Sequence, residues 1–170
     1  MKPRFERLAM VARWKPLHLG QQRVLEGLLK HCRHLTVGIG SANRYNCDNP
    51  FRASESEAML RLVLPEQVPI LHLDDLDNPP RWAAQLASRL GPQDALVTAN
   101  PWVREWMEPY YPVIHPVHFV PTRQRIAVEG KMVRAAWQNQ QAWEQWVSPQ
   151  VAEYLHSHGL VERFRSEFAS

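Results

Sequence analysis

Arg13, Lys15 and His18 crowd one short turn, Ala12-Arg13-Trp14-Lys15-Pro16-Leu17-His18-Leu19-Gly20-Gln21, between an apolar run and a helical pattern. Guanidinium, ammonium and imidazole groups all donate hydrogen bonds to phosphate, and guanidinium can do so bidentately. A helix starting just after the turn adds unpaired N–H groups and a positive dipole end. The chemistry on offer is phosphate binding. The competing reading is an ordinary strand-to-helix loop with solvated charges, and local spacing alone favours it, because short motifs often match by chance.

Other residue clusters offer less. His115 and His118 are close enough for a metal pair, but no Cys or carboxylate completes a set, so no metal site is expected. Asp74, Asp75 and Asp77 read as an acidic loop at a strand end. Arg123, Arg125, Lys131 and Arg134 could suggest nucleic acid. No long Lys/Arg run accompanies them, and the same charges serve a small phosphate ligand equally well. Of the seven tryptophans, Trp137, Trp143 and Trp146 are expected in packing or an oligomer contact.

The elements that must hold the turn follow from patterning. At 170 residues and 45% hydrophobic content, a single soluble domain spanning 1–170 is expected. No apolar run reaches membrane-spanning length, so no membrane partner is expected. Cys32 and Cys47 read as free thiols of a reducing cytoplasm. Strands are predicted at Leu8–Ala12, Leu35–Gly40, Val68–Leu73, Ala95–Thr98 and Tyr111–His115. Helices are predicted over Gly20–Cys32, from a Ser54 cap with Glu57 to Pro65, from a first turn with Pro79 and Pro80 over about Arg81–Leu90, from Pro101 to Met107, over Gly130–Trp137, and from Ser148-Pro149 to about His158. This alternation predicts an α/β fold: a Rossmann-like, doubly wound parallel sheet of about five strands with a helical C-terminal segment. Ligands of such sheets bind beyond the carboxyl ends of the strands.

Laid along the chain, several segments occur in the order of one known family. These are the turn from Ala12 to Gln21, Gly38-Ile39-Gly40-Ser41-Ala42, Asn49-Pro50-Phe51, Trp82, Ala99-Asn100-Pro101-Trp102-Val103, Gly130-Lys131-Met132-Val133-Arg134 and Ser148-Pro149-Gln150-Val151. Together they resemble the archaeal-type nicotinamide-nucleotide adenylyltransferases, in the nucleotidylyltransferase superfamily marked by H-x-G-H. The resemblance implies transfer of AMP from ATP to nicotinamide mononucleotide (NMN), or a related mononucleotide, to give a dinucleotide and pyrophosphate with Mg²⁺. Arg13, His18 and Arg134 then act on the phosphates. Gly20, Gln21, Gly40, Ser41 and Asn100 line the nucleotide site, to which Lys131 is added on its charge alone, and Trp82 stacks on the nicotinamide ring. The implied partners are small nucleotides (ATP, NMN or NAD), with no nucleic acid, and homo-oligomers are expected because family members assemble.

The chain also departs from the family pattern. Gln21 replaces the second His, and glutamine carries no charge. Ser56 stands where the family has a triphosphate-binding Arg. Glu129-Gly130-Lys131 replaces a hydroxyl-bearing motif and brings a carboxylate toward the phosphates. Lys131 and Lys15 could restore positive charge. The alternative these changes motivate is a catalytically impaired nucleotide-binding sensor or partner protein on the same fold.

Overall fold

A computed structural model describes residues 3–168. Five strands, β1 (Phe5–Ala12), β2 (Cys32–Ile39), β3 (Ile70–His72), β4 (Ala95–Val97) and β5 (Val113–Ile114), form one sheet in the order β3-β2-β1-β4-β5. Every pairing is parallel. The helices are α1 (Leu19–His31), α2 (Ala53–Arg61), α3 (Pro79–Leu90), α4 (Pro101–Met107), α5 (Gly130–Gln138), α6 (Pro149–Ser157) and α7 (Leu160–Phe168).

Strand alternation explains the two-sided burial. Leu8 and Met10 of β1 join a core with Val37 and Ile39 that α1, α2, α5, α6 and α7 cover. Ala9 and Val11 face the other way, onto Leu73, Leu96 and the apolar sides of α3 and α4. β1 is central and buried on both faces, as a parallel strand with helices on either side must be. The chain turns from one flank of the sheet to the other beside β1. The β1–α1 and β4–α4 loops therefore diverge over a crevice, where doubly wound sheets bind ligands.

Several boundaries differ from the sequence reading. The expected Ser54 cap is not used: α2 starts at Ala53 with Arg52 as cap residue, and the Glu55 carboxylate, not Glu57, accepts from Arg52 N at 2.9 Å. Glu57 is instead engaged with His72 Nε2 at 2.6 Å. The last three strands are shorter than their apolar runs, which extend past the paired residues before β3 and β5 and after all three. α3, by contrast, carries Pro79 and Pro80 in its first turn as expected, capped by Asn78 accepting from Arg81 N at 2.9 Å. A seventh helix follows Gly159, whose φ of 60° ends α6. Trp137 is fully buried, with its ring against Phe51, Trp143 and Phe164, as the packing expectation required. Cys32 is buried and Cys47 exposed, and both are free thiols.

Candidate active site

The β1–α1 loop turns inward at Trp14. Its backbone is left-handed (φ 55°), a costly conformation for a bulky residue. Complete burial of the indole and a 2.9 Å bond from Nε1 to the Gly38 carbonyl hold it there. Lys15 comes next and is nearly as deep. Its Nζ donates to the Ser41 carbonyl at 3.1 Å and to Asn49 Oδ1 at 3.0 Å. Burial, and then the charge of Arg13, bring the Lys15 ammonium down to about 8. Ser41 is itself left-handed (φ 54°), so both loops that meet at this ammonium are bent by tertiary contacts.

His18 ends the loop and caps α1. Gln21 N donates to His18 Nδ1 at 3.3 Å, and Gln21 Oε1 accepts from His18 N at 3.4 Å, a reciprocal capping box. Burial brings the imidazole down to about 4, so the ring is neutral near pH 7. With Nδ1 accepting, the neutral ring carries its proton on Nε2 and offers a donor there. Gly20 permits this arrangement: a Cβ at that position would stand 3.1 Å from His18 Nδ1 and 3.2 Å from the Ile126 carbonyl. The capping bonds also define Gln21. Its oxygen faces its own helix, and among the described residues its amide nitrogen has no partner.

Across the crevice, α5 presents its N-terminus. Glu129 takes the cap position without bonding the helix and instead pairs with Lys131 at 2.8 Å. That bond holds the Glu129 carboxyl below its usual range. Arg134, one turn on, donates to the Lys15 carbonyl at 2.8 Å and lies 3.4 Å from Asp48. Gly130 lets the helix approach, because a Cβ there would meet the Lys15 carbonyl at 2.9 Å. The α1 and α5 N-termini and the cations Arg13, Lys15 and Arg134 thus converge on one cavity.

That cavity has a volume of about 1140 Å³. Arg13, His18, Gly20, Gln21, Gly40, Ser41, Trp82, Asn100, Lys131 and Arg134 all line it. They do so unequally. Lys131 is largely exposed and already paired, while Arg134 is mostly covered. Asn100 uses Oδ1 to cap α4 at Trp102 N, which leaves its amide nitrogen free to donate. Trp82 is buried at the far end with its ring 4.8 Å from that of Trp102, and the exposed Trp102 shares this wall.

Ser56 does not belong to the site. It is fully buried in α2, its hydroxyl has no partner, and it lies outside the cavity. The expectation that it replaces a phosphate-facing group at the site is thereby corrected. Gly38 also sits below the cavity, within β2, where a Cβ would strike Leu73 Cδ1 at 2.6 Å. His115 serves locally, its Nδ1 accepting from Val117 N. Asp75 and Asp77 hold Arg44 at 3.3 and 3.4 Å and latch the acidic loop to the β2–α2 loop. The patterning did not single out Trp102, Asn49, Asp48 or Arg44 as site residues. Trp102 and Asn49 lie inside the family-like segments Ala99–Val103 and Asn49–Phe51, which carry the available signal.

A parallel sheet carrying a cation-rich cavity over its carboxyl edge, with tryptophans at one end, is a nucleotide-binding α/β architecture. The fold is that of Rossmann-like nucleotidyltransferases. The chain superposes on a bifunctional NMN adenylyltransferase/ADP ribose pyrophosphatase from Francisella tularensis, complexed with AMP and a Mn ion. The TM-score is 0.74 at 16% identity, covering 96% of this chain and 52% of that one, so it spans about half of that protein. No family model matches the sequence. Curated relatives are more specific. A nicotinamide-nucleotide adenylyltransferase from Methanocorpusculum labreanum is 30% identical over 91% of this chain and 93% of its own length. Another, from Archaeoglobus fulgidus, is 29% identical over 94% and 95%. The chain belongs to the nicotinamide-nucleotide adenylyltransferase family.

Proposed function

We propose that this chain, acting as a single nucleotidyltransferase-like domain, transfers AMP from ATP to nicotinamide mononucleotide and releases pyrophosphate. The observation that carries this reading is the joining, in one cavity, of a cation-and-helix-terminus end to a tryptophan end. Two phosphate-bearing ligands, one of them with a flat aromatic ring, suit those two ends.

The chemistry needs no protein nucleophile. An NMN phosphate oxygen attacks the α-phosphorus of ATP, and the bond to the bridging oxygen breaks as pyrophosphate leaves. The protein's part is to hold two anions together and to offset the charge that develops. Arg13 and Arg134 provide fixed guanidinium donors, and His18 adds the neutral Nε2–H. The α1 and α5 N-termini contribute backbone N–H groups. Gly40 and Ser41 let the β2–α2 backbone lie along the nucleotide, Gln21 and Asn100 donate through free amides, and Lys131 pairs with outer phosphates once released from Glu129. Trp82, backed by Trp102, receives the pyridine ring.

Divalent metal is supplied with ATP in this reading. Among the described residues no group of three His, Cys, Asp or Glu is placed to hold an ion, and Asp48 and Asp75 are engaged with arginines. Incubation with ATP, Mg²⁺ and NMN, following pyrophosphate and NAD together, tests the proposal. Stoichiometric appearance of both supports it. ATP binding without either product would instead mark the chain as a nucleotide-binding sensor, the reading motivated by Gln21 and Glu129. Light scattering in the same buffer tests the homo-oligomer expected of the family. Among the described residues no helix is long and apolar enough to cross a membrane.

A further inference from the structure

We propose that Lys15 is a buried cation of the phosphate cradle alongside Arg13 and Arg134, donating from Nζ to a phosphate oxygen of ATP and supplying the charge that Gln21 lacks. The identity of the ligand rests on the adenylyl-transfer reading; the role of the residue rests on its surroundings.

Lys15 is only 4% exposed and lines the cavity between Arg13 and His18. Both of its hydrogen-bond acceptors are neutral: the Ser41 carbonyl and Asn49 Oδ1. The carboxylates within reach of the cluster are engaged elsewhere, Asp75 with Arg44 and Asp48 with Arg134. A nearly buried ammonium without an ion-pair partner is costly unless an anion arrives. The third ammonium hydrogen has no acceptor among the described residues. The two acceptors are themselves fixed: Asn49 Nδ2 donates to Asn46 Oδ1 at 2.9 Å, and the left-handed Ser41 directs its carbonyl at Nζ. The ammonium is therefore aimed before any ligand binds, the condition under which a donor contributes most.

The competing role is a strut pinning two loops together. A neutral amide could also donate to Ser41 and Asn49, so K15Q separates charge from strut. The titratable and charged groups around Nζ are Arg13 and the neutral His18 on its own loop, Arg134 of α5 and its cap residue Glu129, Arg44 and Asp48 from the β2–α2 loop, and Asp75 from the β3–α3 loop. Burial and Arg13 bring Lys15 to about 8, so near that pH an arriving polyphosphate draws a proton onto it.

Isothermal titration calorimetry with Mg-ATP at pH 8, in two buffers of different ionisation enthalpy, counts that proton. Wild type is expected to take up a fraction approaching half a proton per site. K15Q is expected to keep its melting temperature within a few degrees, take up none and bind ATP about tenfold more weakly or worse. K15Q matching wild type in both affinity and proton count overturns the proposal. Should K15Q not fold, wild type alone decides. Its ATP affinity weakens as pH rises above 8, and a flat profile from pH 7 to 9.5 overturns the role of Lys15. ATP binding with proton uptake but no NAD would sink the proposed reaction and leave Lys15 standing, whereas no ATP binding by wild type would sink both.

Discussion

His18 couples the site to acid stability, and substitution by asparagine exposes the coupling. Asparagine is a strong helix N-cap and keeps an acceptor for Gln21 N, so H18N is expected within about 1 kcal/mol of wild type at neutral pH. It cannot titrate. In the wild type, burial brings the imidazole from an ordinary 6.5 to about 4. The unfolded chain therefore binds the proton first as pH falls, and stability is lost. The contribution is complete above 6.5, erodes between 6.5 and 4, and is gone below. A shift of this size corresponds to ~3 kcal/mol in full, of which about 2.5 kcal/mol is lost by pH 4.5. For a chain of this length that is a melting-temperature difference of roughly 5–10 °C. Urea unfolding at pH 7 and pH 4.5, monitored by tryptophan fluorescence, reads it. Carboxylates such as Glu55 titrate in both proteins, so the expected result is a steeper acid loss in wild type than in H18N by about 2.5 kcal/mol. Equal losses in the two proteins would refute the buried, neutral capping imidazole.

Other substitutions separate positioning from packing. R134K keeps a charge but loses the forked geometry and the donor to the Lys15 carbonyl. Pyrophosphate release should fall by about 10²–10³ with a small change in melting temperature, and an unchanged rate would remove Arg134 from the phosphate end. W102A removes an exposed ring and should change stability little. It should raise the KM for NMN by about fivefold while leaving that for ATP unchanged, since an aromatic pair is worth about 0.5–1.5 kcal/mol. R163A strips Glu55 of a bidentate partner at 2.6 and 2.7 Å and the Pro50 carbonyl of its donor at 2.9 Å. It should cost about 2–4 kcal/mol in urea unfolding, and adding E55Q should recover part of that loss.

The architecture was legible because the apolar runs and helix caps repeat the alternation that a parallel sheet demands. Gly20, Gly130 and Arg134 were legible as pieces of ordered motifs. What escaped were the consequences of tertiary contact. Nothing local shows that Trp14 is left-handed and fully buried, because its partner is the carbonyl of Gly38 on the next strand. Lys15 looks like a solvated charge until Ser41 and Asn49 are placed around it. Ser54 carries a better capping side chain than Arg52, yet Glu55 reaches back to Arg52 N and out to Arg163, and those bonds set the start of α2. Ser56 aligned with a phosphate-facing position, but the helix turns it inward, a rotation fixed by which face meets the core.

The bond between Arg163 and Glu55 spans 108 residues and also holds Pro50, next to the Asn49 that orients Lys15. During synthesis the sheet strands and the first turn emerge early, while the helix that secures the loop beside Asn49 emerges after all of them. The nascent chain can thus assemble its crevice before it can fix the loop that aims the ammonium. The aim of the Lys15 ammonium is a late acquisition of the growing polypeptide, because α7 both closes the core under the sheet and secures the loop beside Asn49.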